Sequence, residues 1–157
     1  MPRKSLITAV VAVVGMSLAL APSAAADKPT QVPAPFGSFT GQFCADFAVR
    51  ISETTNRGTT KIFSDGSAMT TGTLKVDVTN LETGKTMALN ISGPARFSSD
   101  GTMLVGTGRW LLFGEAGFLG RPGPTLETSV GMLVINLGDT TLVSRTGTSR
   151  ELCAELA

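Results

Sequence analysis

Hydrophobic and polar residues alternate along most of the chain, in short runs that are separated by turn residues. In the first run, Phe43, Phe47 and Ile51 fall on one face and polar residues fall on the other. Alternation with a period of two is typical of half-buried β-strands. Asp-Gly pairs at positions 65–66 and 100–101 are typical of hairpin turns. The pattern therefore predicts strands joined by tight turns.

About eight such strands are predicted. They cover residues 43–52, 59–63, 68–79, 85–92, 95–98, 102–113, 126–136 and 140–145. Their connections are too short for parallel crossovers, so we expect an antiparallel meander. Eight strands can close into a small barrel, and closure would protect both sheet edges. The sequence thus predicts an all-β domain over residues 42–157, closed into a barrel, with a two-sheet sandwich as the alternative.

The chain end follows a different pattern. Thr148 and Glu151 have the spacing of a capping box, with Thr148 as the N-cap. Leu152 and Leu156 are four residues apart and would share one face of a helix. We therefore expect a short C-terminal helical turn.

The first 26 residues are typical of a secretory signal. Arg3 and Lys4 precede an apolar run at 6–20, and alanines at 24–26 fit a cleavage site before Asp27. This pattern predicts a secreted, extracellular protein whose mature chain begins at Asp27.

A membrane anchor is the alternative interpretation of the apolar run. A spanning helix needs about 20 apolar residues, and Pro22 ends this run early. We therefore expect no membrane span after the signal is removed. Residues 27–41 contain Pro29, Pro33 and Pro35, a composition that predicts an extended linker.

Composition excludes several kinds of chemistry. The chain of 157 residues contains no histidine and no tyrosine, which excludes histidine-based triads and metal sites. Its two cysteines are too few for a four-thiolate zinc site. No metal or other cofactor is therefore expected. Without the signal the formal charge changes from +1 to −1, and no basic block occurs, so nucleic acid is not an expected partner.

Cys44 and Cys153 lie near opposite ends of the predicted domain. An exported chain meets an oxidising environment, so these two cysteines are expected to form a disulfide. Closing a loop of about 110 residues would contribute roughly 4–5 kcal/mol in the chain-entropy model. A redox or nucleophilic thiol is the alternative, but the chain has neither a Cys-x-x-Cys motif nor a histidine to activate a thiolate.

Several turn motifs carry a resemblance to known proteins. They are Phe63–Gly66, Gly72–Leu74, Val78–Asn80, Thr83–Lys85, Asn90–Pro94 and Gly106–Gly108. With the signal and the terminal cysteines, residues 43–157 resemble small secreted actinobacterial proteins of unassigned function. More distantly, the layout is similar to barrels of the allene oxide cyclase and dirigent type. That distant resemblance implies a cofactor-free isomerase or cyclase and carries over no catalytic residue.

Four residues are candidates for ligand or lid contacts. Arg109 either holds an anionic ligand head inside the barrel or points to solvent while Trp110 covers neighbouring glycines. Phe118 and Leu119 lie within a Gly/Pro-rich loop at 114–124. Long loops of this kind are often lids or binding loops, and the alternative is a plug of the barrel end.

These observations favour a non-enzymatic secreted barrel that binds a small apolar ligand or a cell-envelope partner. The alternative is the isomerase or cyclase that the distant resemblance implies, and fold analogy alone supports it. A ring of inward-facing polar side chains would favour the enzyme. An apolar or filled interior would favour a binding or structural role.

Overall fold

Strands dominate residues 27–157, the part of the chain that the computed structural model describes. The predicted signal at 1–26 lies outside the described residues. In chain order the strands are β1 (Thr30–Pro33), β2 (Ser38–Gly41), β3 (Val49–Asn56), β4 (Thr59–Ile62), β5 (Ala68–Thr71), β6 (Leu74–Asn80), β7 (Thr86–Asn90), β8 (Ala95–Phe97), β9 (Met103–Gly114), β10 (Thr125–Asn136), β11 (Thr141–Arg145) and β12 (Thr148–Glu151). A 3-10 turn covers Phe118–Gly120, and one helix, α1, covers Cys153–Leu156. Among residues 27–157, no helix has the length and apolar character needed to span a membrane.

The strands form two antiparallel sheets. The larger sheet has the order β1-β4-β5-β8-β9-β10-β11, and β12 also pairs with β10. The smaller sheet has the order β2-β3-β6-β7. Every pairing is antiparallel, so the predicted all-β, antiparallel fold is confirmed. Some strands that are consecutive in the chain, such as β3 and β4, lie in different sheets.

The predicted closure into a barrel is wrong. In the described part of the chain, β1 pairs only with β4 and β2 only with β3, so neither sheet closes on itself. The reason is a bend within each early segment of the meander. The chain passes from one sheet to the other near Pro35, Gly58, Gly72 and Gly93, and each segment therefore contributes one strand to each sheet.

Glycines continue this bend across the later strands. We use the name glycine row for the set Gly58, Gly72, Gly93, Gly108, Gly131 and Gly147. Gly108 pairs directly with Gly131, and both have positive φ angles, 80° and 135°. A side chain at Gly131 would collide with the carbonyl oxygen of Thr146 in the neighbouring segment. Glycine is therefore required for the strands to approach this closely while they bend.

The N-terminal part of the fold differs from the sequence prediction. Regular pairing in the first long strand begins at Val49, and residues 44–47 form a bend. That bend buries both Phe43 and Cys44, which strict alternation had placed on opposite faces. Within the segment that was predicted as a linker, β1 and β2 form edge strands of the two sheets.

The short C-terminal helix is confirmed, but its predicted cap is wrong. Thr148 lies in β12, because residues 148–151 pair with β10. The Glu151 carboxylate accepts hydrogen bonds from the backbone N–H groups of Cys153 and Ala154. The helix therefore begins after Glu151, whose carboxylate satisfies two N–H groups that the first turn leaves free.

Two apolar clusters stabilise the fold. The first is contributed by both sheets and α1, and it contains Phe43, Cys44, Phe47, Val49, Ile51, Val76, Val78, Ile91, Leu111, Leu126, Leu152 and Leu156. The second contains Leu104, Leu112, Leu119, Leu133 and Ile135. Leu111 and Leu112 belong to different clusters because successive strand residues point to opposite faces.

Candidate functional site

An apolar cleft runs along the bend between the two sheets. Its volume is about 530 Å³. Three glycines of the row, Gly58, Gly72 and Gly93, form part of its wall. A Cβ at any of the three would meet a neighbouring atom at less than 3.0 Å, so glycine allows the segments of the wall to pack closely. The larger apolar side chains that line the cleft are Phe36, Leu74, Ile91, Phe97, Leu104, Trp110, Leu111 and Phe113.

Most polar side chains in the cleft wall are already bonded to the protein. The hydroxyl groups of Thr60 and Thr70 form a hydrogen bond of 2.8 Å with each other. The Asn56 amide donates to the carbonyl of Ala34 at 2.7 Å and accepts from the backbone N–H of Gly58. These groups stabilise the wall and are not free to bind a polar ligand.

The Ser92 hydroxyl and the Trp110 indole N–H are also hydrogen-bonded within the protein. The Ser92 hydroxyl accepts from the backbone N–H of Leu74 at 2.9 Å and donates to its carbonyl. The Trp110 indole Nε1–H donates to the carbonyl of Thr107 at 3.0 Å. No ionisable side chain belongs to the part of the wall that the structure describes. The cleft is thus suited to an apolar group.

Arg109 and Trp110 lie at the border of this cleft. Trp110 lines it, and its indole packs against Gly93 and Gly106. Arg109 is exposed and does not line the cleft. The arginine is thus exposed and outside the cleft, and the tryptophan covers neighbouring glycines.

The loop at 114–124 lies elsewhere. Leu119 is buried in the second apolar cluster, and Phe118 packs against that cluster and against Gly114. Neither side chain lines the cleft. Their surroundings match a packing role better than the predicted lid.

A buried carboxylate that the sequence did not single out holds this loop in place. Glu127 on β10 is 6% exposed and accepts hydrogen bonds from the guanidinium groups of both Arg121 and Arg145. Arg121 belongs to the loop and Arg145 to β11. The cluster therefore connects three segments. Alternation alone gave no signal for it, because a lone glutamate in a strand predicts an exposed position.

The Cys44–Cys153 disulfide lies at the far end of the first cluster. The structure contains the predicted bond, which joins the bend before β3 to α1. Nearby, the buried Asn80 amide donates to the carbonyl of Leu156 at 3.0 Å. These contacts fasten the C-terminal helix over the core. They form a structural cap on that end, and neither cysteine lines the cleft.

Known proteins give no further identification. Comparisons with protein-family models, with curated proteins and with solved structures found no match. Within residues 27–157, no group of three or more acidic or cysteine side chains is arranged to hold a metal ion. The resemblance to secreted actinobacterial proteins and to cyclase barrels stays a prediction from sequence motifs. A function must therefore be inferred from the site itself.

Proposed function

We propose that this chain is an exported binding protein that holds a small apolar ligand in the cleft along the bend. The observation that carries the proposal is the character of the cleft wall. Aromatic and aliphatic side chains dominate it, and most of its polar groups are already hydrogen-bonded to the protein.

The size of the cleft supports this function. Small-molecule sites commonly have volumes of about 300–1,000 Å³ and apolar walls. Each methylene group that a ligand buries there gains about 0.8 kcal/mol from the hydrophobic effect. Because the wall presents few free polar atoms, a polar ligand would lose its hydration without gaining hydrogen bonds in return.

Export is supported by the sequence together with the disulfide. The charged start, the apolar run and the alanine-rich end of residues 1–26 fit a cleaved signal, and the Cys44–Cys153 bond is compatible with an oxidising compartment. The mature N-terminus is proposed to be Asp27. Mass spectrometry of the culture supernatant tests this, and recovery of an intact chain from the membrane alone would contradict it.

The cyclase alternative requires polar groups that are free to act on a substrate. The cleft wall does contain polar side chains, such as those of Thr60, Thr70 and Asn56. Their hydrogen bonds are already made within the wall, so they are not free to act on a substrate. Ligand binding is therefore the better-supported proposal.

Trp110 provides a direct test, because it is the single tryptophan of the chain and lines the cleft. Titration with decanol, an uncharged apolar probe, should change its fluorescence in a saturable way. Thr70→Phe should fill the cleft and weaken this binding. Met69→Phe is the matched control, because the adjacent strand position faces the other side of β5.

Saturable binding that is lost only in Thr70→Phe supports the proposal. If decanol does not bind to the folded wild-type protein, or binds equally well to both variants, the cleft is not a ligand site.

A further inference from the structure

A second groove lies beside the cleft, between the edge strand β7 and the strands β9, β10 and β12. Its volume is about 600 Å³. It is lined by Ala88, Leu89, Asn90, Arg109, Trp110, Thr128, Val130, Thr148, Ser149 and Arg150. We call this the arginine groove.

The arginine groove is cationic. Arg109 and Arg150 are the ionisable side chains among its described lining residues, and no acidic side chain accompanies them. Within residues 27–157, Arg109 forms no salt bridge. Arg150 contacts Glu155 at 3.1 Å, but both side chains are about half exposed, so this pair is weak and easily exchanged.

Polar groups that suit an anionic head surround the two arginines. Thr128 and Thr148 lie on the same face of the sheet as Arg150 and contribute hydroxyl groups, and Asn90 contributes an amide. Guanidinium groups bind carboxylates and phosphates through paired N–H donors. The groove therefore offers charge and hydrogen-bond donors that the apolar cleft lacks.

Trp110 lies between the two sites and lines both of them. The sheet is split at this point. The β8–β9 ladder ends at Gly106, and one further backbone hydrogen bond joins the Thr107 N–H to the Pro94 carbonyl. β7 pairs with β6 but not with the following residues of β9. In the described chain, the backbone of β9 beyond Thr107 is therefore not paired with β7 or β8 on this side. The indole rests on Gly93 and Gly106, and the hydrogen bond from its N–H to the Thr107 carbonyl holds it at this junction.

We propose that the ligand of this protein is an amphiphile with an alkyl body and an anionic head. The body occupies the cleft and passes Trp110, and the head binds Arg109 and Arg150 in the arginine groove. This inference rests on the proposed function, since it assumes that the cleft holds the apolar part. The head is a carboxylate, as in a fatty acid, or a phosphate, as in a lipid headgroup.

Three probes of equal chain length test the assignment: decanol, decanoate and decyl phosphate, titrated at neutral pH. Trp110 fluorescence and the NMR signal of its indole N–H report binding at the junction of the two sites. The anionic probes should bind about three- to tenfold more tightly than decanol, the range expected for hydrogen bonds to a partly exposed charged group. Decanoate and decyl phosphate together show which head is preferred.

Arg109→Gln and Arg150→Gln should each reduce this preference, and the double variant should abolish it. Decanol binding should stay as in the wild type. Arg96→Gln is the matched control, because Arg96 is an exposed arginine on β8 that lines neither site. Circular dichroism checks that each variant is folded.

The two proposals fail in different ways. The proposal of an anionic head group fails if decanol binds and the anionic probes bind no more tightly. It also fails if the preference for anionic probes persists in the double variant. In both cases the proposed apolar site in the cleft is retained. If none of the three probes binds, the proposed function itself is overturned.

Discussion

The Asp100 carboxylate accepts three hydrogen bonds within its own turn. The donors are the Ser98 hydroxyl, the Thr102 backbone N–H and the Thr102 hydroxyl. These bonds favour the charged form, and they lower the pKa of Asp100 from its ordinary value of 3.8 to about 2, with the Ser98 bond as the largest cause. The Asp65 turn has the same design, and the hydroxyl of Ser67 is the main reason that its pKa is lowered.

The lowered pKa of Asp100 predicts how its turn responds to acid. A lowered pKa in the folded state means that the turn contributes stability above about pH 4, and that this contribution is lost as the pH falls toward 2. Ser98→Ala should raise the pKa of Asp100 and leave that of Asp65 lowered. Carbon NMR titration of the two carboxyl groups measures both values. An unchanged Asp100 midpoint in the variant would contradict the assignment.

Glu127 is the one charged residue that is buried in the described part of the chain. Its carboxylate is buried, while the side chains of its partners Arg121 and Arg145 are 34% and 26% exposed. Glu127→Gln should lower the free energy of unfolding by about 1–3 kcal/mol, because three charge-assisted hydrogen bonds from two arginines lose their acceptor charge. Urea denaturation measures the change.

Glu155→Gln is the matched control for this experiment. It removes the exposed pair with Arg150 and should cost less than about 1 kcal/mol. Equal losses of unfolding free energy in the two variants would show that the burial of Glu127 does not strengthen its contribution to stability.

At the scale of elements, the loop at 114–124 is fixed by packing. Leu119 is 6% exposed and has a φ of 55°, in the left-handed region that a leucine rarely adopts. Burial against the second cluster therefore outweighs the strain of this backbone conformation.

Replacing this side chain separates the packing role from a lid role. Leu119→Ala should lower the free energy of unfolding by about 2–5 kcal/mol, since it leaves a cavity among buried leucines. Phe118→Ala should cost less, because that side chain is only partly buried. Decanol titration of the cleft should be unaffected by either change. A change in decanol affinity with little loss of stability would favour the lid instead.

The antiparallel strands were predictable from the sequence, because alternation and Asp-Gly turns are local signals. The split into two sheets was not, since it depends on glycines far apart in the chain, such as Gly108 and Gly131, becoming neighbours across strands. The cleft was only partly predictable. Trp110 stood out by its size, whereas Thr60 and Thr70 look like ordinary strand residues until their pairing is known.

At the scale of the whole molecule, the disulfide joins residues that are 109 positions apart. The Cys44→Ser and Cys153→Ser double variant should lower the free energy of unfolding by roughly 4–5 kcal/mol, because the unfolded chain regains the freedom that the bond removes. Denaturant unfolding of the double variant and of the oxidised wild type measures the difference. Neither cysteine lines the cleft, so decanol should still bind where the variant is folded. Equal stability of the two proteins would contradict a stabilising role.

The glycine row also penalises wrong alignments of the strands. In a sheet with similar residues along every strand, a slip by two positions keeps each side chain on its proper face and costs little. Here the same slip of β10 would put Ser129 or Leu133 where Gly131 now lies, and its Cβ would strike the Thr146 carbonyl. The glycine row thus favours a single register of the strands, because a register shifted by two residues would place a side chain where only glycine fits.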